Sequence, residues 1–172
     1  MSPAAAAALI PSGAKVAMAL GVGQPPALLQ ALADRAEARE VGDINIYYLL
    51  STAIAGETVL RYELTDRLRP HSLFHGAIER QLEARGIQEG RRGVWFVPTG
   101  FHQTPHVLRN EIGVDTLLAP VSPMHADEVA RPQLHPARHL VGIGLVERDR
   151  HQHVDHAGRV GGGGAARCVI HG

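Results

Sequence analysis

Apolar runs and helical spacings alternate along the first two-thirds of the chain. Residues 14–20 (AKVAMAL) form a short apolar run that stops at glycine. Residues 25–40 (PPALLQALADRAEARE) then set Leu28, Leu29 and Leu32 on one face, with proline at the start, where its missing N–H costs nothing. The pattern is strand, turn, helix. A second strand is predicted over 43–51 (DINIYYLLS), a helix over 56–68, a third strand over 71–77 (HSLFHGA), and a helix over 78–85 closed by Gly86. Residues 93–99 (GVWFVPT) and 115–123 (DTLLAPVSP) read as a fourth and a fifth strand, separated by a short helix over 104–112 with Pro105 near its start. Strands alternating with helices predict an α/β fold: a mostly parallel sheet with helices on both faces. Ligands of such sheets sit outside the carboxyl ends of the strands.

Near residue 124 the pattern changes. Residues 10–124 read as the α/β domain, and 125–172 as an anomalous tail. The tail holds seven of the eleven histidines, no Phe, Tyr or Trp, and the run GGGG at 161–164; only 140–146 (LVGIGLV) is strand-like. Such a segment supplies little core and is expected to be poorly ordered or loosely attached. Its HQHVDH stretch, His151 to His156, fits the H-x-H-x-D-H pattern of zinc hydrolases, but only sixteen residues follow it, too few for the remaining ligands. The expectation is no functional metal site, with adventitious zinc or nickel binding as the lesser reading of clustered histidines.

Composition narrows the classes further. With 172 residues, 45% of them hydrophobic, the chain makes one domain or one and a fragment. Seventeen basic and seventeen acidic residues cancel, so neither nucleic acid nor a membrane surface is an expected partner. No apolar stretch approaches a spanning helix, the start lacks a signal-peptide pattern, and the cytoplasm is the expected compartment. Cys168 stands alone and has no recognisable His or Asp partner, so no disulfide and no thiol nucleophile is expected. Lys15 is the only lysine against sixteen arginines, the mark of a GC-rich coding sequence.

Chemistry concentrates at the first βα junction. Gly21-Val22-Gly23-Gln24 ends a strand and precedes a helix, an arrangement that lets backbone approach a ligand and offers N–H groups to an anion or oxyanion. Pro26 occupies the third glycine position of a dinucleotide fingerprint, and the Gly-Lys-Ser/Thr ending of a phosphate loop is missing. A tight turn with no ligand stands as the plain alternative. Elsewhere the bland readings prevail. Glu57, Glu63 and Asp66, and likewise Glu79, Glu83 and Arg85, read as solvated helix faces. Tyr47, Trp95 and Phe96 read as core, and His71, His75, His102 and His106 as hydrogen-bonding or surface histidines.

Taken in order, IPSGAKVAMALGVGQPPALLQALADRA, RPHSLFHG, FVPTGFHQTPHVL and GVDTLLAPVSP resemble the N-terminal domain of the acetyl-CoA hydrolase/transferase family, which includes acetate and 4-hydroxybutyrate CoA-transferases. The resemblance covers about residues 10–124 and implies two α/β halves with acyl-CoA and carboxylate substrates between them. A glutamate from the second half would attack the thioester, giving an acyl-glutamyl anhydride and then a glutamyl thioester. Gly21, Val22, Gly23 and Gln24 would line the substrate site, together with His102 and Gln103, which stand where the family often writes Ser-Glu-Pro. CoA enters as a thioester substrate, with no other cofactor and no catalytic residue in this chain. The implied function is the N-terminal half of an enzyme moving CoA between an acyl-CoA and a carboxylate, or to water, in acetate or short-chain acyl-CoA metabolism. A separate C-terminal half, or self-association through an exposed apolar patch, would complete it. After Pro123 the resemblance stops, and the tail is what a shifted reading frame in a GC-rich gene produces; translating the other frames past codon 124 tests this. A non-catalytic CoA-binding or remnant protein is the alternative, and a zinc hydrolase using HQHVDH the lesser one.

Overall fold

The computed structural model describes residues 2–121, 140–145 and 167–170. Five parallel strands, β1 (Lys15–Met18), β2 (Ile44–Tyr48), β3 (Leu68–Ser72), β4 (Trp95–Phe96) and β5 (Thr116–Val121), lie side by side in the order β4-β3-β2-β1-β5. Two antiparallel strands, β6 (Leu140–Leu145) and β7 (Arg167–Ile170), extend the sheet beyond β5. The α/β class read from the sequence is therefore the class observed. Of the 125–172 tail, only these two strands are described; HQHVDH lies outside the described residues.

Alternation along each strand divides the sheet into two unlike faces. Val16 and Met18, Ile44, Ile46 and Tyr48, Leu68, and Leu118 point into one core, which receives α1 (Pro3–Ala7), α2 (Pro26–Glu37), α3 (Ala53–Glu57) and α4 (Ala77–Glu89). Within α2, Leu28, Leu29 and Leu32 are fully buried, each contributing roughly 1.5–3 kcal/mol on leaving water. The opposite face carries Lys15, Asn45, Arg69 and a row in register, Tyr47, His71 and Trp95. Tyr47 stacks on His71 with ring centroids 4.6 Å apart, and His71 on Trp95 at 5.4 Å. On that side, α5 (Thr104–His106) runs into the π-helical turn Val107–Ile112, whose Ile112 carbonyl accepts from Lys15 Nζ at 2.7 Å.

Four local expectations are corrected. The helix predicted over 56–68 is instead α3, which ends at Glu57, and a 3-10 turn at Tyr62–Leu64. Thr58 stops α3: its hydroxyl donates to the Ile54 carbonyl at 2.7 Å while its own backbone leaves the helical region. The third strand begins earlier, at Leu68, and includes Pro70 opposite Ile46, so the strand pattern continues upstream through a residue that reads as a breaker. Gly86 does not close α4; Gly90, at φ 68°, does. The fourth strand shrinks to Trp95–Phe96, and Phe96 is 56% exposed rather than core.

Candidate functional site

β1, β2, β3 and β4 all point their carboxyl ends toward one edge of the sheet. Successive crossovers from β1 to β4 step in one direction, and the crossover from β4 returns to the far side of β1 as β5. A right-handed path must therefore use opposite faces for the two steps, which puts the topological switch between β1 and β5. The loop leaving β1 at that switch is Gly21–Gln24.

Gly21–Gly23 forms a single 3-10 turn, entered at Gly21 with φ 51°, a conformation that favours glycine. Its amides are largely spent on the protein itself. Gly21 N–H donates to the Leu50 carbonyl (3.2 Å), Gly23 N–H to Leu20 (3.0 Å) and Gln24 N–H to Gly21 (3.1 Å). Val22 N–H alone of the four has no partner among the described residues, and the Val22 side chain is 83% exposed. The expected cradle of several free amides is thus corrected to one. Gln24 is buried: its amide nitrogen donates to Leu50 O (3.0 Å), and its oxygen accepts from the Thr52 N–H (3.2 Å) and hydroxyl (2.7 Å). As a side chain it braces the loop.

His102 and Gln103 occupy a different turn, Phe101–Gln103, after β4. β4 is three strands from β1, about 14 Å at ordinary strand spacing. Both side chains are exposed, and Gln103 folds back to accept from Gly100 N–H (3.3 Å). No hydrogen bond joins this turn to Gly21–Gln24 among the described residues. The structure brings together the first four predicted residues and leaves the last two apart.

Glu79, expected on a solvated face, is fully buried. It lies in the first turn of α4, where its carboxylate accepts from Gly76 N–H (2.8 Å) and the Ser51 hydroxyl (2.7 Å). The signal was present as His-Gly-Ala-Ile-Glu: a helix start with Glu at the third position, whose carboxylate returns to the N-terminal amide. Tyr48, almost wholly buried, places its phenol near this carboxylate without a hydrogen-bond partner among the described residues. Burial first, and then the Glu79 charge, push the Tyr48 pKa upward, keeping the phenol protonated. Glu57 and Glu63 are exposed as expected.

The edge has a distinct chemical character. Among the described residues, seven of the ten exposed large apolar side chains belong to it: Leu20, Val22, Leu50, Ile54, Phe74, Phe96 and Phe101. Its loops 19–25, 49–52, 73–76 and 97–103 contain no Asp, Glu, Lys or Arg. Among the described residues, no group of three or more His, Cys, Asp or Glu side chains is placed to hold a metal ion, and no helix is long and apolar enough to cross a membrane.

No family profile matches the chain. Over 125 residues, 72% of this chain, it is 30% identical to the succinyl-CoA:cyclohexane-1-carboxylate CoA transferase of Geobacter metallireducens, of which it spans 26%. The crystal structure of RipA from Yersinia pestis is similar over 73% of this chain and 30% of that one, with 47% identity and a TM-score of 0.71. A RipA point variant matches over 84% of this chain at 42% identity and the same TM-score. The chain thus spans little more than a quarter of the length of these relatives. Over that span it carries a CoA-transferase-like α/β fold and partial homology to a CoA transferase.

Proposed function

We propose that this chain supplies one part of a CoA-transferase, holding the acyl-CoA and carboxylate substrates against the carboxyl edge of its sheet. The observation that carries this reading is the coincidence of the Gly21–Gly23 turn with the topological switch of a CoA-transferase-like fold. Val22 N–H is positioned at the end of β1 to donate to a carboxylate or thioester oxygen, and the apolar rim of Leu20, Leu50 and Phe74 excludes water around the acyl group. An uncharged lining suits this task, because a hydrogen bond to a developing oxyanion strengthens when water is displaced.

The acetate and acetyl-CoA role belongs to the same proposal and rests on the family resemblance. So does the assignment of the nucleophilic glutamate to a second α/β half. Glu79 does not stand in for it, being sealed inside the fold, and Glu63 is exposed and paired with Arg85. The non-catalytic alternative is favoured by one observation, the spending of three of the four loop amides on internal bonds. Isothermal titration of the full chain with acetyl-CoA, beside a thioester-release assay, separates these. Binding without release is expected from a substrate-holding part that lacks the nucleophile. Absence of binding would favour the remnant, and turnover by the chain alone would place a nucleophile within it.

A further inference from the structure

Three loops of the carboxyl edge, arising from three different strands, are joined by one set of hydrogen bonds. The Leu50 carbonyl accepts both Gly21 N–H (3.2 Å) and the Gln24 side-chain amide (3.0 Å), tying the turn after β1 to the loop after β2. Thr52, two residues on, donates twice to Gln24 Oε1. Ser51, between them, donates to Glu79, whose other oxygen accepts from Gly76 N–H at the start of α4 after β3. Gln24 and Glu79 are both buried, 5% and 0% exposed, so neither reaches solvent to meet a ligand. Among the described residues no cation pairs with the Glu79 carboxylate; a buried carboxylate unpaired in this way is costly, and a buried amide keeps its place only when its bonds are met.

We propose that Gln24 and Glu79 are positioning residues: they hold the Gly21–Gly23 turn in the single conformation that leaves Val22 N–H, without a partner among the described residues, at the switch point. The inference rests on the substrate reading above, since a held amide matters to the reaction only if a substrate oxygen meets it. The unusual entry at Gly21 makes the need physical. A turn that begins in the left-handed region has other conformations open to glycine, and the Leu50 carbonyl with its two donors selects one of them.

The test uses the full chain, read first without ligand by hydrogen exchange and amide nitrogen–proton spectra, and then by acetyl-CoA titration. Gln24→Met keeps length and bulk and removes the side-chain bonds to Leu50 and Thr52. It is expected to speed exchange at Gly21 about tenfold or more, to move the Val22 resonance, and to weaken acetyl-CoA binding about tenfold, the loss of roughly one net hydrogen bond. Exchange at Ile46, deep in β2, stays unchanged. Glu79→Ala gives the same signature at Gly21 through Ser51, whereas Glu79→Gln, whose oxygen keeps accepting from Gly76 N–H while its amide donates to the Ser51 hydroxyl oxygen, keeps the exchange of the unaltered chain. Thr52→Val, which deletes one donor to Gln24 and leaves the glutamine in place, supplies the reading if Gln24→Met does not fold. A purely structural role would lower the melting temperature while leaving the Val22 resonance and the affinity untouched, and that result would overturn the proposal. If the unaltered chain binds no acetyl-CoA, the substrate reading falls and the positioning role with it. Faster exchange at Gly21 with unaltered affinity would overturn the positioning role alone.

Discussion

At the scale of single residues, the informative positions are those where the side chain and its surroundings disagree with composition. Gly86 is one. In the middle of α4 a glycine costs about 1 kcal/mol relative to alanine, yet a Cβ here would meet the Gly93 backbone nitrogen at 2.8 Å and the Arg91 carbonyl closer still. Helix and following turn pack backbone to backbone, so neither neighbour can swing away. Gly86→Ala is therefore expected to destabilise by about 1–3 kcal/mol despite its better helix propensity, measured by denaturant unfolding; a stabilised variant would show that the turn yields. His71 is another. Burial in the stack, followed by the nearby Arg69 guanidinium, lowers its pKa from the usual 6.5 to about 4. The unfolded chain then binds a proton that the folded chain refuses, so stability is complete above pH 6.5 and falls as the pH drops from there toward 4. Comparing melting curves of the wild type and His71→Phe, which keeps the stack and cannot titrate, should show the wild type losing ground only in that window. Parallel pH curves would remove His71 from the account.

At the scale of elements, the strands and the two long helices were legible because their signals are local. The leucines of α2 recur on one face, and Ile44, Ile46 and Tyr48 fill the buried positions of β2. What could not be read was set by contacts distant in sequence. Glu79 looks like any charged residue on an amphipathic helix until Ser51, 28 residues earlier, is placed against it. Gln24 reads as a loop amide offered to a ligand until Leu50 and Thr52 claim it. The short α3 was obscured in another way. Its apolar positions run on through Val59 and Leu60, which are buried, so periodicity suggested a longer helix than the Thr58 backbone permits. The turn Gly21–Gly23 was found as a junction, but its internal hydrogen bonding was invisible, because it depends on where the next strand's loop lies. His102 and Gln103 were joined to it by resemblance alone, and the strand order separates them.

At the scale of the whole molecule, charge and apolar surface are sorted to opposite ends of the sheet. Among the described residues, Arg39, Glu40, Asp43, Arg67, Arg91, Arg92 and Asp115 lie around the amino ends of the strands, while the loops that leave β1 to β4 at 19–25, 49–52, 73–76 and 97–103 carry no Asp, Glu, Lys or Arg. Packing of the core does not require this, since neither set contributes to the cluster beneath the helices. An apolar edge on this scale is a surface that tends to be covered, by substrate or by further polypeptide. A dye that fluoresces in apolar surroundings should therefore bind the folded chain at that edge and not elsewhere. Phe74 and Phe101, 56% and 72% exposed, sit on carboxyl-edge loops, whereas Ile87, 78% exposed, sits at the far end of α4. Phe74→Ser with Phe101→Ser is expected to remove most of the dye signal with the circular dichroism spectrum unchanged, and Ile87→Ser to leave it intact. Equal losses from both would mean that exposure alone governs binding, and that the carboxyl edge has no special claim to whatever covers it.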